Sequence, residues 1–265
     1  MALAVVSSST PVTTLTGTLT LTPPATITDN NVLVMGVSAA QTGAINTPSG
    51  WSVAVAKFTG SGGSNLAVFY KIAASESGNY TVTGSTYLTG SIVNISGNDT
   101  TTPIDVAGTG SGGTGTTATA AAITIATANA LLLYFSGSDG NGALGIPSGW
   151  TSTGAIDGSG GAEGYSSGYD PTTYSTGTTG TKSATAQTPW SAVLVAIRPS
   201  GGSDVTVALT GTSTTTAVGV LLTATSVALN GQGITSSAGT LTPVSGGFKP
   251  YWALHQTKVI GTGVI

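Results

Sequence analysis

The chain contains no cysteine and only one histidine. Without thiolates and with a single imidazole, a zinc site within one chain is excluded, and no disulfide can cross-link the fold. Only 6% of the residues are charged, against roughly a quarter in typical soluble proteins. The six basic residues are scattered, so the clustered cations that phosphate binding requires are missing. Nucleic acid is therefore not expected as a partner.

Long apolar runs are also missing. No stretch approaches the roughly 18 apolar residues that a membrane-spanning helix needs, so no membrane insertion is expected. The short apolar start at 1–6 follows no basic residue and ends in the polar run 7–10. This pattern does not fit a signal peptide, so no export signal is expected.

Strand-forming residues dominate what is present. Hydrophobic residues make up 39% of the chain, and 40 glycines punctuate it together with Ser, Asn and Pro. This pattern predicts an all-β fold of short antiparallel strands. In "LTGTLTLT" the alternation places leucine towards a core and threonine outwards. In the first part of the chain, strands are expected around 15–21, 32–37, 53–58, 66–72, 80–82 and 92–95.

A large internal repeat organises the first 200 residues. "TPSGW" at 47–51 returns as "IPSGW" at 146–150, each between strand-like segments at similar distances. The repeat predicts two tandem antiparallel β-sandwiches of one fold, jelly-roll or immunoglobulin-like, over 1–103 and 104–200. Pro-Ser-Gly-Trp is typical of a turn that enters a strand, with the tryptophan as a core anchor.

The region 201–265 carries a different, shorter repeat. "TVALTG" at 206–211 returns as "SVALNG" at 226–231. Units of this size cannot bury an apolar face alone, so we expect an assembly or attachment region completed by neighbouring chains. An aromatic cluster near the end is a candidate interface, although a terminal strand packed on its own domain remains the alternative. The candidate interface residues are Phe248, Tyr251 and Trp252.

Motifs for catalysis are weak in this chain. "GYSSG" at 164–168 matches a nucleophile pattern around Ser166, but its flanks lack the helix that the motif requires. A carboxylate pair such as Asp157 and Glu163 has the composition of a glycosidase site, yet the acids lie in turn-like contexts that favour local hydrogen bonds. "GTGSGG" at 108–113 is interpreted as a flexible loop. We expect no catalytic residue and no enzyme activity.

No cofactor or bound metal is predicted either. "SDGNG" at 138–142 places Asp139 and Asn141 two residues apart among glycines. Calcium accepts such oxygen ligands, but the EF-hand pattern is not met because its terminal bidentate acid is missing, and an Asp-Gly turn explains the motif. Whether calcium binds near Asp139 stays open at this point.

The paired "PSGW" motifs, the closing "AVLVAIRPSG" strand and the following "VTVALTG" repeat together resemble structural proteins of tailed bacteriophages. These include head-decoration, head-fibre and tail-fibre proteins. The resemblance implies a non-enzymatic virion component that decorates or projects from the capsid. The implied partners are further copies of the chain, most simply as a homotrimer, and the major capsid or other virion proteins. The implied location is the virion, assembled in the host cytoplasm.

A second class of function stays open beside it. A tail-fibre or adhesin module would bind a host surface glycan through loops and exposed aromatic rings. Tyrosine offers a flat face and a hydroxyl group, which suits a sugar and also suits a protein interface. The candidate glycan contacts are Tyr165, Tyr169 and Tyr174, which we expect in a Gly/Ser-rich loop.

Overall fold

The computed structural model describes residues 2–40, 43–60, 62–84, 87–140, 142–158 and 163–201. These residues belong to one compact unit, Met1–Val207. Their secondary structure is all strand, as the composition predicts, and every strand pairing is antiparallel. No helix capable of crossing a bilayer occurs in the part of the chain that the structure describes. The predicted repeat region, with its aromatic cluster, lies outside the described residues beyond Gly201.

The first half of the unit builds one large sheet. Its central strands read as nearly continuous apolar runs and are buried on both faces, whereas the edge strand β5 is largely exposed. The large sheet has the order β1-β8-β4-β6-β5, with β2 also paired to β8, and β3 and β7 form a separate ribbon. The strands are β1 (Ala4–Ser8), β2 (Val12–Thr14), β3 (Thr18–Leu21), β4 (Val32–Ala39), β5 (Ser52–Thr59), β6 (Asn65–Ile72), β7 (Tyr80–Thr83) and β8 (Leu88–Ser96).

The second half repeats this arrangement. Its large sheet has the order β10-β18-β13-β15-β14 with β9 also paired to β18, and β11–β17 and β12–β16 form two ribbons. Each strand of the first half therefore has a counterpart with the same neighbours. The strands are β9 (Ile104–Ala107), β10 (Ser111–Gly113), β11 (Thr117–Ala120), β12 (Thr124–Ile125), β13 (Ala130–Ser138), β14 (Thr151–Ile156), β15 (Gly164–Tyr174), β16 (Gly177–Thr178), β17 (Lys182–Thr185) and β18 (Trp190–Ile197).

Three apolar cores hold these layers together. The outer face of each large sheet packs with its own ribbon, as alternation in β3 illustrates: Leu19 and Leu21 are buried and the intervening threonines are exposed. The inner faces of the two large sheets pack against each other and form the third core. Each of the strands β4 and β13 contributes to two cores, because its alternate residues point to the inner and to the outer face of its sheet.

The two large sheets meet in reversed order. Strand β4 lies against β13 at the centre, β8 against β15, β6 against β18, and the edges β1 and β5 lie against β14 and β9. An approximate twofold axis along the strands produces this arrangement, so the two halves pair as the protomers of a symmetric dimer do. We call the layer between them the inter-half core.

The Pro-Ser-Gly-Trp motifs form the same turn in both halves. The Trp51 amide donates to the Pro48 carbonyl at 3.1 Å, and the Trp150 amide donates to the Pro147 carbonyl at 3.1 Å. The intervening glycines have φ of 76° and 82°, the left-handed conformation that the third residue of a type II turn requires. Trp51 is buried, as expected, and packs edge-on against Tyr80. Trp150 is half-buried.

The segment interpreted as a flexible glycine loop at 108–113 is instead ordered. Ser111–Gly113 form β10, which pairs with β18 beside the Trp190 ring. A Cβ atom at Gly113 would lie 2.6 Å from that ring. The glycines therefore permit close packing here, where the sequence interpretation assumed mobility.

Candidate functional site

The inter-half core changes character at one end. Over most of its length it consists of aliphatic and aromatic side chains. Near the ends of β4 and β13, where these strands leave the sheets, polar side chains replace them, and each is fully buried. We call this cluster the polar seam. It consists of Ser38, Ser64 and Thr89 from the first half and Glu163 and Ser191 from the second.

Glu163 is the centre of the polar seam. Its Oε1 atom accepts a hydrogen bond from Ser38 Oγ at 2.6 Å and another from Ser64 Oγ at 2.9 Å. Its backbone carbonyl accepts from Thr89 Oγ1 at 2.7 Å. Ser64 Oγ also lies 3.0 Å from Ser191 Oγ. One acidic residue of the second half is thus held by three hydroxyl groups of the first.

The strand register explains why these side chains meet. Ser38 pairs with Thr89 across β4 and β8, and Gly137 pairs with Ser191 across the equivalent strands β13 and β18. Ser64 and Glu163 stand directly before the equivalent strands β6 and β15. The polar seam therefore unites the same three positions of both halves.

A glycine makes room for this contact. Gly137 stands where the first half has Ser38, and a Cβ atom there would collide with the Ser38 hydroxyl. The same Cβ would lie 3.3 Å from Glu163 Oε1. The acid is accommodated because its neighbour on β13 has no side chain.

The Glu163 carboxyl group is not fully satisfied. Its Oε2 atom is buried and has no hydrogen-bond partner in the described structure. Burial raises the pKa of Glu163 to about 8, and its hydrogen bonds from Ser38 and Ser64 lower it less than burial raises it. The negative field of Asp139 adds to the rise. The carboxyl group is therefore mostly protonated at neutral pH, which avoids a buried charge.

Tyr165 extends the polar seam towards the centre of the interface. Ser91 Oγ donates to the Tyr165 hydroxyl oxygen at 3.1 Å, and Tyr165 is completely buried. Burial raises the pKa of Tyr165 to about 12. A Cβ atom at Gly36 would lie 2.6 Å from that hydroxyl, so the tyrosine occupies the space that this glycine leaves.

A second polar feature lies at the opposite end of β4. It is an open groove with a volume of about 510 Å³. Buried amides support its floor: Asn31 Nδ2 donates to Asn94 Oδ1 at 2.9 Å, and Asn98 Oδ1 accepts from the Val32 amide at 2.9 Å. We call it the polar groove. It is lined by Val6, Thr28, Asp29, Asn30, Asn31, Ser96, Gly97, Asn98, Thr100 and Ser200.

The three tyrosines predicted as glycan contacts do not form a surface cluster in a loop. They lie on strand β15. Tyr165 faces the inter-half core and is inaccessible, so its assignment as a glycan contact was wrong. Tyr169 and Tyr174 are half-buried. The Tyr174 hydroxyl donates to Asp170 Oδ2 at 2.6 Å, and Lys182 Nζ lies 5.4 Å from its ring centre.

The other candidate residues lie on strands of the second half or directly before or after them. Ser166 lies within β15 and is fully buried, and its hydroxyl donates to the Gly145 carbonyl at 2.7 Å. Asp139 follows β13, and burial raises its pKa. No cluster of three or more His, Cys, Asp or Glu residues that could hold a metal occurs within the described ranges. Glu163 was expected in a turn with local hydrogen bonds, but it is buried and bonded to the other half.

The polar seam was not predicted from the sequence as a unit. Ser38, Ser64 and Ser191 are unremarkable in a chain rich in serine. Alignment of the two copies on their "PSGW" motifs offers one signal, since it places the acid Glu163 at the position of Ser64. A charged residue at a repeat position that otherwise precedes a buried strand is unexpected.

Comparison of the chain with protein-family models, with curated proteins and with solved structures found no match in any of the three.

Proposed function

We propose that this chain is a non-enzymatic structural component of a bacteriophage particle that decorates or projects from the capsid. The observation that carries the proposal is the apolar core between two stacked β-sheets. Strands β4, β13 and β18 are buried along their whole length. Burial raises the pKa of Glu163 to about 8 and that of Tyr165 to about 12, so these two buried groups are mostly uncharged at pH 7. Such a body supplies rigidity and leaves its outer surfaces and loops for attachment.

The finer architecture belongs to the same proposal. We infer that 1–103 and 104–200 are two sandwich copies of jelly-roll or immunoglobulin-like type, each made of a large sheet and its outer ribbon. Residues 201–265 follow as a β-repeat region that joins copies of the chain, most simply into a homotrimer. In this assembly Phe248, Tyr251 and Trp252 supply the apolar contacts, because aromatic side chains dominate the energetics of interfaces.

Two experiments test this role. Crosslinking of purified particles, followed by mass spectrometry, should join this chain to the major capsid protein or to another virion protein. A chain that ends at Ser200 should keep its circular dichroism spectrum but become monomeric by light scattering, or lose binding to particles. Retention of both the full-length oligomeric state and particle binding by the truncated chain contradicts the assembly role of 201–265.

The polar groove favours a second candidate, an adhesin module that binds a host surface glycan. Among the described residues of its lining, Asp29 alone is charged, and the others are mostly amides, hydroxyl groups and backbone. This lining suits the hydroxyl groups of an uncharged sugar better than a phosphate or sulfate. Binding on a glycan array that Asp29→Ala abolishes, while Asp170→Ala on the other half does not, supports this candidate. An array without specific binding contradicts it.

A further inference from the structure

We propose that the Glu163 side chain is a proton-operated latch between the two halves, closed while the carboxyl group is protonated and loosened when it loses its proton. The inference rests first on position. Glu163 belongs to the second half, and both hydrogen-bond donors to its Oε1 atom, Ser38 and Ser64, belong to the first. A change in the charge of the carboxyl group therefore alters the interaction between the two halves directly.

The second observation is that the surroundings of Glu163 provide little to stabilise an ionised carboxylate. Glu163 Oε2 is buried without a partner in the described structure. The groups that contact the carboxyl are the hydroxyls of Ser38 and Ser64, which both donate to Oε1. Thr89 Oγ1 donates to the Glu163 backbone carbonyl, and Ser191 Oγ bonds Ser64 Oγ. The titratable residues nearby are Asp139, whose charge opposes ionisation, and Tyr165, which is neutral. No basic residue in the described ranges contributes to the field at Glu163.

The consequence is a defined direction with pH. Because burial raises the pKa of Glu163 from 4.5 to about 8, the folded state holds its proton more tightly than the unfolded state does. The contribution of Glu163 to folding is complete below pH 4.5 and declines as pH rises towards 8. Across this window, the equilibrium constant for unfolding should rise by up to about tenfold per pH unit through this residue alone.

Three variants of the full chain separate this latch from a purely structural contact. Glu163→Gln keeps the shape and the acceptor oxygen but does not titrate. Its equilibrium constant for unfolding should therefore lack the rise between pH 5 and pH 8 that the wild type shows. Asp139→Asn removes the nearby acid and should retain most of that rise. Ser64→Ala removes one donor to the carboxylate and should shift the transition to higher pH.

A measurement on the unmodified protein keeps the inference testable if a variant does not fold. The carboxylic-acid carbonyl band of Glu163, followed by difference infrared spectroscopy with Glu-labelled protein, should persist at neutral pH and disappear near pH 8. The protection factors of the β4 and β13 amides, which are corrected for the intrinsic pH dependence of exchange, should fall over the same range. Ionisation near the ordinary pKa of glutamate overturns the proposal. So does identical pH dependence of stability in wild type and Glu163→Gln.

Discussion

The two halves of the molecule have the same strand order, but the surfaces that they present to each other have complementary shapes. At the centre of the interface the first half presents Gly36, and the second presents Phe135 at the equivalent position; a Cβ atom at Gly36 would lie 2.5 Å from that ring. Next to them, Leu66 of the first half corresponds to Tyr165 of the second. The first half has smaller residues at these positions, and the larger side chains of the second half fill the space that they leave.

This difference explains why each half packs against the other rather than against a second copy of itself. Two copies of the second half would bring two Phe135 rings and two Glu163 carboxyl groups together near the axis. Two copies of the first half would leave a void at the paired Gly36 positions. Both alternatives carry packing or desolvation penalties that the mixed pair avoids. A duplicated β-sheet can thus become a specific intramolecular pair through a few positions, while its strand pairing stays unchanged.

Removal of the filling side chain should have the largest effect. Phe135→Ala should destabilise the full chain by about 3–5 kcal/mol, because it opens a cavity in the inter-half core. Chemical denaturation followed by circular dichroism measures this loss. Leu15→Ala, at a position of the first half that is 52% exposed, is the control and should change stability by less than about 0.5 kcal/mol. A loss below about 1 kcal/mol for Phe135→Ala would contradict tight packing between the halves.

Adding a side chain at Gly36 should have the next largest effect on stability. Gly36→Ala places a methyl group against Phe135 and Tyr165 and should cost about 1–3 kcal/mol. Phe135→Leu should then be tolerated better in the Gly36→Ala background than in the wild type. Gly201→Ala, whose Cβ would meet no atom within 4 Å, is the neutral control. Purely additive losses would show that Gly36 and Phe135 do not share one space.

The outer faces of the halves differ in a smaller way. Asn31 Nδ2 donates to Asn94 Oδ1 in the first half, whereas the equivalent positions of the second half are the buried alanines Ala130 and Ala196. Each single alanine substitution in the asparagine pair should cost about 1–3 kcal/mol, since it leaves a buried amide without its partner. The double variant should cost less than the sum of the two. A double-mutant cycle without coupling would show that the pair does not act as a unit.

The smallest effect on stability should come from Glu76 and Asp170, each of which accepts a hydrogen bond from a tyrosine hydroxyl of its own half. Burial raises the pKa of Glu76, but hydrogen bonds from Lys71, Tyr80 and the Ala74 amide outweigh it and leave the pKa below its ordinary value. The stabilisation by Glu76 is therefore present at neutral pH and is lost as pH falls below the ordinary range of glutamate. Glu76→Gln should lower stability at pH 7 by less than about 1 kcal/mol.

Thermal melting at pH 7 and pH 3 checks this prediction. The difference between wild type and Glu76→Gln should shrink at the lower pH. Asp170→Asn should behave alike, because Asp170 also holds a tyrosine hydroxyl and its pKa is also lowered. A difference that grows on acidification would contradict the assignment.

Local sequence patterns predicted many of the strands and turns of the fold. The alternation in "LTGTLTLT" correctly placed Leu19 and Leu21 inwards but was wrong for Leu15, which precedes β3 and is exposed. The two "PSGW" motifs marked equivalent turns. The expected strands of the first half correspond to β3–β8. These features depend on neighbouring residues and on turn chemistry, which a sequence displays directly.

The site could not be predicted in the same way. The hydroxyl donors to Glu163 stand 99 and 125 residues away along the chain, and their role depends on how the two sheets are stacked. Tyr165 was assigned to the surface because its Gly/Ser-rich surroundings resemble a loop. Those small residues instead permit close packing of buried strands. Burial on both faces of a sheet is a tertiary property that alternation in one strand does not reveal.

Because the two halves share one core, they should open together. Native-state hydrogen exchange with residue resolution measures this coupling by following amides of β4 in the first half and β13 in the second under increasing denaturant. The two strands should exchange with the same free energy of opening and the same denaturant dependence, and Phe135→Ala should lower both equally. If β13 loses protection in that variant while β4 keeps its own, the halves are independent domains and the shared core does not hold them together.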